Sequence, residues 1–177
     1  MLRLRLLLFS AMILSACNMA TPEKYFGVAV LNCNMMMSFA GEDVPRDISE
    51  PSGKMDPANK DKVIQMTHKE MVDSKVEFFE ENLGKLRKLK ETAETKEMLD
   101  ASLALNGFVI PVYRNEYQEL AKLFDNGASK NEIEAFNKSI HDKYAVRFVE
   151  LFDRVTKAGK VYAAKNNIKV QWGVGQQ

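Results

Sequence analysis

Through most of the chain, apolar residues return every three or four positions, the signature of amphipathic helices. Val72, Val76, Phe79, Leu83 and Leu86 form one such stripe, within a helical pattern running from about Ala58 to Ala93. At about 1.5 Å per residue this helix would reach roughly 50 Å. Gly84 interrupts it, either as a close-packing point or as a weak spot. A second long helix is expected from Thr95, with Leu99, Leu103, Phe108, Val112, Leu120 and Phe124 facing inward, until Asn126-Gly127 stops it. Pro111 lies inside this helix and predicts a kink, because proline offers no backbone donor. Ser129 and Glu132 then have the spacing of a capping box. They open a last helix to about Lys165, with Ile133, Phe136, Ile140, Tyr144, Phe148, Leu151 and Val155 inward.

The ends of the chain read differently. Thr21-Pro22-Glu23 has an N-cap residue followed by proline at the first helical position. It opens a shorter helix from Tyr25 to Phe39 that carries Phe26, Val30, Cys33 and Met37 on one face. Residues 41–57, with three prolines and two glycines, predict an exposed linker. Beyond Asn166-Asn167, Ile168, Val170 and Trp172 alternate with polar residues, as in an extended tail laid over apolar surface. Strand signals are absent outside this tail. The expected fold is all-α, an antiparallel bundle of three long helices plus a shorter N-terminal helix and a short extended C-terminal tail. In the expected hairpin centred near Gly127, Tyr113 is level with His141, and Phe108 with Arg147. The polar residues Tyr113, His141, Tyr144 and Arg147 then form a network that relieves the Gly107 carbonyl left without a donor by Pro111.

The first residues change the picture. Arg3 and Arg5 precede a short apolar run, Leu6 to Leu14, broken only by Ser10. That run is too short for a permanent membrane span, which takes about 20 apolar residues, and suits a secretory signal. It ends in Leu14-Ser15-Ala16-Cys17, which resembles the lipobox of bacterial lipoproteins. The resemblance covers residues 1–17 only. It implies a signal peptide over 1–16, a lipid-bearing Cys17 as first residue of the mature chain and a tether over 17–21, followed by a single helical domain over 22–177. Asn18 in place of aspartate favours the outer membrane, facing the periplasm.

Composition then removes function classes. The whole chain has a formal charge of +1, and losing Arg3 and Arg5 with the signal leaves a nearly neutral protein with no electrostatic footprint for nucleic acid. Once Cys17 carries lipid, Cys33 stands alone and forms no internal disulfide, so the fold rests on packing. His68 and His141 are the two histidines, and neither has the Glu-x-x-His spacing of a di-iron site. Glycine-rich phosphate loops and haem-attachment motifs are missing as well. Cys33, Met35, Met36 and Met37 are soft ligands suited to Cu(I), with His68 and Met71 as conceivable additions, but methionine is also ordinary core filler. Lys85, Arg87, Lys88 and Lys90 read as a solvated face at a helix C-terminus, the alternative being a contact with anionic lipid or lipopolysaccharide. No catalytic, cofactor-binding or metal residue is expected. The expected function is non-enzymatic: a membrane-anchored envelope lipoprotein whose helical surface binds a protein partner or serves a structural role. The alternative is a module holding a small apolar ligand or a soft metal between the helices.

Overall fold

The structure, a computed structural model, describes residues 20–172. Cys17, and with it the lipobox, lies outside the described residues. The fold is mostly α-helical with one small two-stranded sheet. In chain order it contains α1 (Pro22–Ala29), a 3₁₀ segment (Leu31–Met36), the short α2 (Arg46–Ser49), β1 (Gly53–Asp56), β2 (Asn59–Gln65) and α3 (His68–Arg87). Then follow α4 (Lys96–Val112), a π-helical turn (Tyr113–Tyr117), α5 (Gln118–Asp125) and α6 (Lys130–Lys165).

The caps explain most boundaries. Thr21 accepts a hydrogen bond from the Lys24 amide and Pro22 begins α1, as the sequence predicts. Thr67 with Glu70, and Ser129 with Glu132, are complete capping boxes opening α3 and α6. At the end of α5 the chain turns through Gly127 at φ 70°, while the Ala128 amide bonds the Leu123 carbonyl and the Gly127 amide bonds that of Phe124. This is a Schellman closure. Asn167 closes α6 in the same way at φ 55°.

The helix expected over residues 58–93 is shorter than its pattern, and part of it is sheet. Residues 59–65 form β2, paired antiparallel with β1 with Met55 opposite Val63. The Asp56 carboxylate accepts the Ala58 amide, and this side-chain turn beside Pro57 reverses the chain before a helix can nucleate. The segment 41–57 is likewise not a free linker. Pro45, Ile48 and Pro51 are buried, and Asn137 donates to the carbonyls of Gly41 and Glu42. Gly84 is no packing point: a Cβ there would meet nothing within 4 Å.

The N-terminal helix also departs from its expected face. After Ala29 it tightens to 3₁₀ geometry, which takes three residues per turn instead of 3.6. Met36 therefore turns into the core at 0% exposure, while Met37 is 59% exposed.

One contiguous apolar core runs from Tyr25 to Ala163 and gathers residues from α1, α3, α4, α5 and α6. Phe39 sits at its centre, ringed by Phe108, Tyr113, Tyr117, Tyr144 and Phe148 at centroid distances of 5.0–6.4 Å. Ala40, next in the chain, takes φ 49°, a conformation costly for any residue with a Cβ. It is held from both sides: its amide donates to the Tyr117 hydroxyl at 2.9 Å, and His141 Nδ1 lies 2.8 Å from its carbonyl. Ile168, Val170 and Trp172 of the tail do pack on the core, with Trp172 edge-on to Phe26 at 5.9 Å.

The polar network expected around Pro111 does not form. Gly107 and Pro111 are both exposed, so the orphaned carbonyl faces solvent and needs no donor from another helix. Tyr144 instead donates to Glu116, Arg147 pairs with Glu150 at 2.7 Å, and His141 serves Ala40. Past the proline the helix widens into the π turn, where Asn115 Nδ2 donates to the Pro111 carbonyl at 2.8 Å.

Candidate functional site

A groove of about 420 Å³ lies where the start of α4 meets the C-terminal half of α6. Its floor is apolar, formed by Met98, Ala158, Val161 and Tyr162. Its rim is charged with both signs: Glu97 and Arg154 join across the two helices at 3.0 Å, and Glu150, Lys157 and Lys165 extend the border along α6. The sequence dictates this arrangement. Phe148, Leu151, Val155 and Tyr162 occupy the inward stripe of α6, so Val146, Glu150, Lys157 and Val161 fall on its outer face at helical spacing. Val146, Val149 and Val161 are 76%, 55% and 58% exposed. Of these three only Val161 lines the groove; between Val149 and Val161 the outer face carries Glu150, Asp153, Arg154 and Lys157.

Electrostatics around the groove are set by the same helix ends. Burial, then the carboxylate of Glu94, the hydroxyl of Tyr25 and the carboxylate of Glu23, push the Tyr162 phenol above its ordinary value. These groups are brought together because Asn166, capping α6, donates to Glu94 at 2.8 Å, while Tyr25 of α1 donates to the Lys90 carbonyl at 2.9 Å. A second recess of about 380 Å³ beside the π turn is lined by Lys69, Arg114, Gln118, Lys122 and Phe136. Its cations are already engaged, Arg114 with Glu80, Lys69 with Asp73 and Lys122 with Glu119.

The residues singled out in the sequence are dispersed. Cys33 is 1% exposed, with Sγ 3.3 Å from the Ala29 carbonyl and 3.6 Å from Ser102 Oγ. Burial pushes its thiol up to about 11 against the opposing hydrogen bonds of Ser102 and Asn106, which suppresses the thiolate needed for reaction or metal binding. Met36 is buried near it, whereas Met35 and Met37 point to solvent, so the soft ligands diverge. Among the described residues, no three histidine, cysteine or acidic side chains come together as a metal-holding group. His68 Nδ1 lies 2.7 Å from Asp125, and its ring stacks on Phe124 at 4.5 Å. Burial alone would raise the Asp125 carboxyl. Hydrogen bonds from the His68 ring and from the amides of Lys69 and His68 outweigh it and hold the group below the usual carboxylate range. Asp125 thereby closes the N-terminus of α3 from the end of α5. Both histidines thus hold backbone in place.

Sequence reasoning missed the groove and a buried ion pair. Lys75 is 8% exposed, reaches Asp47 of α2 at 2.5 Å and lies over the Tyr113 ring at 5.4 Å. The groove had a signal in Val161, an apolar residue off the inward stripe of α6; Lys75 had none, being one charge in a charged helix. The described helices include none long and apolar enough to cross a membrane. Comparison of this chain with protein-family models, with curated proteins and with solved structures gives no match.

Proposed function

We propose that the protein is a non-enzymatic lipoprotein of the bacterial envelope, held by lipid on Cys17 at the outer membrane and facing the periplasm. Its three long helical stretches act as an antiparallel bundle with α1 docked against it, and the α4–α6 groove binds an amphipathic helix of an envelope protein. The observation that carries this reading is the groove itself: an apolar floor of Met98, Ala158, Val161 and Tyr162 with a rim of both charges fits a helix with one apolar stripe flanked by charges. Both recesses are open at the surface, and the interior between the helices is filled by aromatic and aliphatic side chains, which favours a surface partner over a small ligand held inside. Nucleic acid and cofactors have no part in this reading.

Site-specific photo-crosslinking in intact cells tests it. A photoreactive residue replacing Val161 is expected to give one discrete adduct with a protein, which Ala158→Arg abolishes by filling the floor. The same probe at Lys122, at the far end of the molecule, is expected to give none. Equal patterns from both positions, or no adduct at Val161, would overturn the assignment.

A further inference from the structure

The ion pairs of the described residues are unevenly distributed. Lys24, Arg87, Lys88, Lys90, Lys165 and Lys169 are all exposed and form none. Elsewhere nearly every cation is neutralised, as in Lys54–Glu70, Lys69–Asp73, Arg114–Glu80, Lys130–Glu134 and Lys138–Asp142. Exceptions are Lys60 and Lys62 of the hairpin and Lys157 on α6. The six cations come from three separated stretches of sequence and meet at one end of the molecule. The Tyr25 hydroxyl binds the Lys90 carbonyl, which sets Lys24 beside the end of α3, and Asn166 binds Glu94, which brings the end of α6 to the same place. Of the carboxylates there, Glu91 pairs with Lys96 and Glu97 with Arg154, while Glu94, hydrogen-bonded to the neutral amide of Asn166, and Glu23 form no ion pair, so the cations remain in excess.

Residues 1–19 join the described structure at this same end, at Ala20. Cys17 is three residues away, so its Cα lies within about 11 Å of Ala20 even with the chain fully extended. That upper limit exceeds the Debye length of about 8 Å at physiological salt by only a few ångströms, so the tether lets this end approach the headgroups closely enough for their field to act on it. A position near two helix C-termini explains why positive charge is tolerated there. It does not explain why the unpaired cations of α1, α3, α6 and the tail converge at the exit of the tether.

We infer that this end is a lipid-binding face, on which the unpaired cations of α1, α3, α6 and the tail engage the phosphates of anionic phospholipid. The lipid on Cys17 supplies attachment, and the face sets orientation, standing α3 upright with the hairpin about 30 Å further from the bilayer. The inference rests on the lipid-anchor reading for the local concentration of headgroups, but its charge pattern does not depend on acylation.

The test uses the processed protein purified from bacterial membranes and mixed with two vesicle types, pure phosphatidylcholine and phosphatidylcholine with 30% phosphatidylglycerol. A membrane-impermeant amine reagent then labels exposed lysines, read peptide by peptide. In the anionic vesicles Lys24, Lys88, Lys90, Lys165 and Lys169 are expected to be protected about fivefold or more relative to Lys60, Lys62 and Lys122, and 0.5 M salt is expected to remove the difference. The triple variant Arg87→Gln, Lys88→Gln, Lys90→Gln is expected to lose this protection while still floating with neutral vesicles. Equal labelling of both lysine sets on anionic vesicles, or protection that survives high salt and the triple variant, would overturn the face. Failure to float with neutral vesicles would overturn the anchor alone, since the labelling pattern on anionic vesicles reads the face separately.

Discussion

Gly159 is where α6 accepts α1 and the tail, and replacing it by alanine tests that packing against a built-in control. A Cβ at Gly159 would lie 2.9 and 3.0 Å from the two methyl groups of Val30 and 3.4 Å from the Trp172 ring. Val30 is buried and branched at Cβ, so it has little freedom to withdraw. Overpacking of this kind costs about 1–3 kcal/mol, against a helix-propensity gain of about 1 kcal/mol for alanine over glycine. The expected net effect is a loss of about 1 kcal/mol, seen as a Tm lower by about 2–4 °C in a protein of this size. Gly107→Ala is the control: it sits within α4, exposed, with nothing within 4 Å of a new Cβ. It is expected to gain about 1 kcal/mol by propensity alone. Thermal melts followed by circular dichroism should therefore move in opposite directions for one and the same substitution. A rise in Tm for Gly159→Ala equal to that for Gly107→Ala would refute the docking of α1 and the tail on α6.

Three further outcomes follow from polar side chains whose partners the fold fixes. Asp47→Ala leaves the Lys75 ammonium without its partner and is expected to cost about 2 kcal/mol in urea unfolding, reduced from the fully buried case because Asp47 is partly exposed. Lys75→Met, which keeps the volume and removes the charge, is expected to cost about 1 kcal/mol or less, and equal losses would contradict the pairing. Cys33 in the folded protein should be alkylated at pH 8 on the order of 100-fold more slowly than in urea, because burial pushes its thiol to about 11; comparable rates would place it at the surface. The folded-state pKa of Asp125 is lowered, so its contribution is full above the unfolded value of about 3.9 and is lost as the pH falls through the folded value. The stability advantage of the wild type over Asp125→Asn should hold above about pH 4 and shrink below it, and an advantage that grows on acidification would reverse the assignment.

Helix signals with local causes were legible in the chain. Ser129 and Glu132 mark the start of α6, Gly127 and Asn167 mark helix ends, and the alternation of Ile168, Val170 and Trp172 places the tail on the core. The T-x-x-E signal at Thr67 and Glu70 was equally present, and it marks where a helical reading of residues 58–67 had to stop. What periodicity did not carry is non-local. The strand at Asn59–Gln65 exists because β1 pairs with it, and the inward turn of Met36 follows from a change of helix type that composition does not encode. The fate of Pro111 depended on which side of α4 faced water, so the expected network failed on orientation, not on chemistry. The basic run 85–90 was visible, but its meeting with Lys24, Lys165 and Lys169 is a property of the fold alone. The same holds for the groove, whose two walls are more than 50 residues apart in sequence.

The account as a whole turns on Cys17, and metabolic labelling with palmitate tests it most directly. Cells expressing the wild type are expected to show a labelled protein shortened by the signal peptide and sedimenting with the envelope. In the Cys17→Ala protein both the label and that processing should disappear. Palmitate incorporated into the Cys17→Ala protein at the wild-type level would contradict the lipid anchor and the attachment built on it.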